Sequence, residues 1–167
     1  MEILFENYYV RNRFLIKEIY TYSYFKNPIL LILNLFIVLF TLIILYLCIL
    51  KSTFSFALLI APIYFLFVFI KYKSYVNNTI KRDNEVNGGK NIEVNTIVTD
   101  EYIQNTASTG SVYKVPYDNI RNCKQTKNLI LLYSKANLIY IFRKDTFSKG
   151  SANEFIEFLK NKGINVL

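Results

Sequence analysis

The side chains able to do chemistry are few, and their spacing limits what they can do. There is no histidine, which removes His-based triads, His general bases and His metal ligands. Cys48 and Cys123 are the two thiols, too few for a structural zinc site. Asp100-Glu101 is an adjacent carboxylate pair. Neighbours on a strand point to opposite faces, so the pair reads as a turn rather than an acid–base couple. Thr109-Gly110-Ser111 and Lys149-Gly150-Ser151 are too short to cradle a phosphate and read as turns. The Ser and Thr residues have no His partner, and no Ser–Lys arrangement stands out. These residues specify no catalytic set, no cofactor and no metal; a protein that is not an enzyme is expected.

The remaining chemistry is cationic. Lys71, Lys73, Lys81 and Arg82 follow closely on a long apolar run. A basic side chain beside an anionic leaflet contributes about 1 kcal/mol, so four contribute at most roughly 4 kcal/mol. Asp83 and Glu85, read as balancing Lys81 and Arg82, reduce that figure. These four are the candidate contacts for anionic lipid headgroups, although charges in this position also set membrane orientation whatever else they do. Lys114, Arg121, Lys124 and Lys127 are spread among neutral residues without an aromatic platform. Nucleic acid is therefore not an expected partner.

What must position these charges is a membrane anchor. The chain of 167 residues is 53% apolar and carries a net charge of +8. Ordinary soluble domains are about 45–50% apolar. The excess lies in two segments, 29–50 and 54–70. Asn34 and Thr41 are the polar residues of the first, and Ser55 and Pro62 interrupt the second. A bilayer core needs about 20 helical residues, with a range of about 17–25. The first segment spans comfortably; the second spans at the short limit, helped by snorkelling of Lys51 and Lys71. A signal peptide is a poor fit, because 28 residues precede the first segment and no small-residue cleavage site follows it.

Lys51-Ser52-Thr53 is read as a tight connection, making a transmembrane hairpin over 29–70. Four basic residues (Arg11, Arg13, Lys17, Lys26) precede it, and the loop holds Lys51 alone. The positive-inside rule then places both termini in the cytoplasm. Tyr20, Tyr22, Tyr24 and Phe25, with Tyr72 and Tyr75, suit an aromatic belt at that interface. Asn34 is read as a helix–helix contact rather than part of an ion path, and Pro62 as a kink or packing notch. Cys48 and Cys123 fall on different sides of this topology and cannot pair, and the cytosolic Cys123 is expected to stay reduced.

The rest reads as an N-terminal cytoplasmic segment (1–28), a helical extension and linker (71–90) and a cytoplasmic domain (91–167). The second helix is expected to run to about Asp83 and to break at Asn87-Gly88-Gly89. Short strands are expected at Ile92–Thr99, Tyr102–Thr106, Val112–Val115, Asn119–Gln125, Leu129–Tyr133 and Leu138–Phe142, separated by turn residues. That spacing indicates an antiparallel sheet or partial barrel of about five to six strands. Ser151-Ala152-Asn153-Glu154 is a capping box opening a helix with Phe155, Ile156, Phe158 and Leu159 on one stripe. Gly163 suits its end. The fold class is a membrane α-helical hairpin plus an α+β domain.

The plan of two adjacent spans followed by Tyr117-Asp118-Asn119-Ile120, Leu129–Tyr133, Ile139–Phe147 and the Glu154–Leu159 helix resembles the YcxB-like protein family of bacteria. Arg143-Lys144 stands where that family often has Pro-Lys. The resemblance implies a pleckstrin-homology-like C-terminal domain and a membrane location; the motifs are structural and imply no activity. Two functional expectations follow. The leading one is a non-catalytic membrane protein presenting a cytoplasmic domain to a protein or anionic lipid. The alternative is an immunity protein against a membrane-acting toxin, which rests on size and topology. A homo-oligomeric pore is disfavoured by spans without charges, and the oligomeric state is not legible.

Overall fold

The computed structural model describes residues 2–51, 53 and 55–167. The chain divides into a helical unit, residues 13–81, and a sheet unit made of residues 1–12 and 82–167.

The helical unit begins with α1 (Arg13–Phe25) and continues with α2 (Pro28–Lys51). Asn27 separates them and caps the second, its Oδ1 accepting from the amides of Ile29 at 3.0 Å and Leu30 at 3.4 Å. Pro28 stands at the first helical position, where its missing N–H and fixed φ are tolerated. A 3₁₀ turn, Phe56–Leu59, leads into α3 (Ile60–Val86). Pro62 falls in the first turn of α3. That places it just after the change from 3₁₀ to α-helical winding, near a helix start where proline is tolerated. Lys51 is the last residue of α2 rather than a loop residue. Ser52 and Phe54, read as loop and span start, lie outside the described residues. α2 and the helical stretch Phe56–Val86 are long and apolar enough to cross a membrane, and none of either apolar window is buried inside the protein.

The sheet unit holds eight strands among the described residues. These are β1 (Phe5–Val10), β2 (Glu93–Val98), β3 (Tyr102–Ala107), β4 (Val112–Pro116), β5 (Ile120–Gln125), β6 (Leu129–Ser134), β7 (Ile139–Arg143) and β8 (Phe147–Lys149). α4 (Ala152–Asn161) closes the chain. The strands make a five-stranded sheet in the order β4-β3-β2-β1-β8 and a three-stranded sheet in the order β5-β6-β7. The six strands expected from the sequence are β2–β7. The structure adds β8 and, from the segment read as an N-terminal cytoplasmic segment with no element assigned, β1. β1 pairs antiparallel with both β2 and β8, so the N-terminus supplies an interior strand of the larger sheet. α1 is likewise a helix where none was read.

Register arranges the inner face of the large sheet in rows. Phe5, Val98, Ile103 and Val115 face one another across four strands. Asn7, Thr96, Asn105 and Tyr113 form the next row, and Tyr9, Val94 and Ala107 the third. The first row joins Phe142, Phe155 and Leu159 in the apolar core. The Phe155 ring lies 4.4 Å from Phe142 and 5.3 Å from Phe5, centre to centre. α4 brings it there. Ser151 Oγ accepts from the Glu154 amide at 3.3 Å, and Gly163 at φ +76° ends the helical stretch. Gly150, at φ +74°, lies against the Phe5 ring so closely that a Cβ would collide with it. The C-terminal residues cover the free edge of β5: Cys123 N–H donates to Asn165 O at 2.8 Å and Leu167 N–H to Cys123 O at 2.9 Å. Cys123 and Cys48 are both free thiols.

Candidate functional site

The second row of the sheet is polar, and it is sealed at the end held by Asn7 and Thr96. Asn7 is 0% exposed, and its amide closes a two-way bridge to β7. Its Nδ2 donates to Arg143 O at 2.8 Å and its Oδ1 accepts from Arg143 N–H at 3.1 Å. A side-chain amide thus does for the gap between the two sheets what a strand would do by backbone pairing. Beside it, Thr96 Oγ1 donates to Asn105 Oδ1 at 2.9 Å. A buried polar row is tolerable because its members find partners in this way.

Beyond that row the core does not continue. The third row instead forms the floor of a cleft of about 430 Å³. Its walls are the last turn of α3, the residue Ile92 before β2, and the stretch Leu138–Ile141. Val86, Leu138 and Tyr113 are exposed at this cleft. Tyr9 and Tyr140 line it and are 4% and 5% exposed. Burial pushes the Tyr9 phenol up to about 12 and raises that of Tyr140 as well, so both hydroxyls remain protonated donors.

Three charges reach this cleft: Arg11, Arg82 and Asp83. Arg11 Nε lies 3.1 Å from Asp83 Oδ2, and Asp83 is 4% exposed. The sequence reading had Asp83 balancing Lys81 and Arg82. Its carboxylate faces Arg11 instead, because β1 carries Arg11 in from the far end of the chain. Arg82 is exposed and has no ion-pair partner among the described residues.

The four basic residues singled out from the sequence all lie on α3 and are all exposed. They do not form one patch. At 100° per residue, Lys71 and Arg82 lie roughly 20° apart around the axis, while Lys73 is roughly 160° from Lys71. The Lys71 ammonium stands 4.7 Å over the Phe67 ring. Arg82 is the one of the four that lines the cleft. Asn34 sits elsewhere, inside the helical unit. Its Oδ1 accepts from Tyr24 Oη at 3.2 Å and from Tyr64 Oη at 3.0 Å, joining α1, α2 and α3. Thr41 Oγ1 donates to Ile37 O at 2.8 Å, so Asn34 and Thr41 are both satisfied. The Tyr20 ring packs at a tilt 5.3 Å from that of Tyr72 and 4.9 Å from that of Tyr75, centre to centre.

Asp100-Glu101 forms the turn between β2 and β3, with Thr99 Oγ1 accepting from the amides of Glu101 and Tyr102. Lys162 Nζ pairs with Asp100 at 2.6 Å. No group of three or more metal-ligating side chains occurs among the described residues.

The sequence reading missed the cleft because Tyr9 in its floor and Arg11 beside it are brought in by β1. The available signal was the alternation of Phe5, Asn7 and Tyr9, too short to separate from a disordered start. No curated protein and no solved structure matches the chain. The resemblance read from the sequence is met by one comparison: residues 98–159, from Val98 in β2 to Leu159 in α4, match the family model described as YcxB-like protein.

Proposed function

We propose that this chain is a two-span membrane protein with both termini in the cytoplasm, and that its sheet unit is a non-catalytic binding domain for a protein or an anionic lipid. The observation that carries the reading is the cleft itself. It combines apolar walls with tyrosine hydroxyls and an unpaired Arg82, and one of its walls is the end of a helix long and apolar enough to cross a membrane. Ligand sites are typically concave, mostly apolar and furnished with a few directed polar groups. The absence of histidine and the lack of any nucleophile–base pair support a binding role over catalysis. The orientation rests on charge: basic residues flank both cytoplasmic ends, while Lys51 alone lies between the spans.

The YcxB-like match covers β3–β8 and most of α4. Tyr9, Arg11, Arg82 and Asp83 lie outside it, so the acidic and basic groups of the cleft belong to the part of this chain that the family model does not describe.

Two measurements test the reading. A cysteine at Thr53 should react with an impermeant thiol reagent from outside the cell, and a reporter at Leu167 should read inside. The reverse pattern overturns the orientation. A photo-crosslinking side chain at Val86, in intact membranes, should capture a lipid or a discrete protein. Capture of neither, with the protein folded and inserted, overturns the binding role.

A further inference from the structure

We propose that the cleft is the binding site for a single-chain amphiphile with an acidic head, such as a fatty acid, held head-first toward Arg82; this rests on the binding-domain reading and names its ligand.

Three independent features point to that chemistry. The first is the wall: Val86, Ile92, Val94, Ile139 and Ile141 offer an apolar lining, and about 430 Å³ suits one chain better than the two tails of a phospholipid. The second is charge. Asp83 neutralises Arg11 at 3.1 Å, whereas Arg82 has no ion-pair partner among the described residues. The lining therefore carries one surplus positive charge, the complement of one acidic head. The third is Tyr9. Tyr9 is 4% exposed and lines the cleft; its hydroxyl is not one of the sealed unpaired atoms, and burial of the ring keeps it protonated. It is therefore a donor available to an oxygen of the ligand. A neutral ligand would leave Arg82 unmatched, and a cation would be repelled by it.

The chain contains no tryptophan, so Tyr113→Trp, at an exposed position of the cleft, installs a single indole there. The full-length protein is held in nanodiscs of phosphatidylcholine and titrated with an ω-bromo fatty acid, whose bromine quenches a neighbouring indole, and with its methyl ester. Saturable quenching by the acid is expected, with the ester weaker by about ten-fold, the value of one charge-assisted hydrogen bond. Arg82→Gln should bring the acid down to the ester, and Tyr9→Phe should weaken both. Ala107→Phe should abolish saturable quenching by filling the floor; if that variant does not fold, Arg82→Gln, which changes an exposed side chain, decides.

The inference is overturned if acid and ester bind alike, if Arg82→Gln leaves the acid unchanged, or if Leu167→Trp, outside the cleft, is quenched along the same curve. It is also overturned if brominated phosphatidylglycerol in the disc quenches and the free acid does not. Loss of acid binding with crosslinking from Val86 retained removes this ligand and leaves the binding-domain reading standing.

Discussion

The helical unit and the sheet unit use the same apolar residue types in opposite places. In α2, Phe36, Ile43 and Leu50 are exposed by about three-fifths of their surface, and no residue of the helix is buried. In the sheet unit, Phe142, Phe155 and Leu132 are sealed. The polar residues reverse accordingly. Asn34 turns its amide to the hydroxyls of Tyr24 and Tyr64, while most charged side chains of the sheet unit face outward. One rule accounts for both patterns: apolar surface goes to the nearest apolar phase, and hydrogen-bonding groups go where partners exist. In the sheet unit that phase is its own core. For α2 the described residues provide none, and the helix is long and apolar enough to find it in a bilayer.

A second contrast lies within the large sheet. Its first row is closed by Phe155 and Leu159 of α4, whereas its third row is left as the floor of a cleft. The polar row of Asn7, Thr96 and Asn105 separates them. One end of the same sheet is thus closed by the core, and the other is left open as a cleft.

The contrast is tested hardest at Phe155. Phe155→Ala should cost about 3–5 kcal/mol and be read as a lowered unfolding midpoint of the sheet unit in detergent. A cost below 1 kcal/mol would mean that the aromatic cluster is not its core. Leu39→Arg, at an exposed position in the middle of α2, should cost about 3 kcal/mol of insertion, seen as a smaller fraction of integrated protein. At the surface of a soluble protein the same change would be nearly silent, so a silent result breaks the membrane side of the comparison.

Alkaline pH should weaken the sheet unit next. The Tyr9 phenol lies near 12 when folded against an ordinary 10.0. The unfolded chain releases that proton first, so stability is full below pH 10 and falls as pH rises toward 12, by on the order of 2 kcal/mol. Cys123, which burial pushes up to about 12, adds in the same direction. Tyr9→Phe should reduce the fall and leave the share of Cys123 and of Tyr117, which burial also raises; an unchanged slope would place the titration in those two. Ser151→Ala removes the cap of α4 and should cost about 1 kcal/mol in the same unfolding assay. The smallest effect is expected at Asn34→Leu, about 0.6 kcal/mol in hairpin stability. A loss of several kcal/mol there would give that amide a larger role than joining helices.

Much of this was legible locally. Ile29–Leu50 declares a span because length and hydropathy suffice to meet a bilayer. β2–β7 are marked by alternation and turn residues, and α4 by Ser151, Glu154 and Gly163. These signals act over a few residues, since caps, turns and periodicity depend on neighbouring backbone. Charge pairing was not legible. Asp83 stands beside Lys81 and Arg82 in the sequence, yet its partner is Arg11. Nor did four nearby basic residues make a patch, because helical rotation sends Lys73 away from Lys71.

The sequence alone determined two membrane-length helices, a β-rich domain, a capped terminal helix and the lack of His-based chemistry. Tertiary structure alone decided that Phe5–Val10 would enter the sheet between β2 and β8, that the strands would divide into two sheets bridged by Asn7, and that Tyr9, Arg11, Arg82 and Asp83 would meet in one cleft. The physical reason is separation along the chain. Phe5 pairs with Val98, and Asn7 reaches Arg143. Such pairings are chosen by the closing of a common core, and no local pattern of side chains records them.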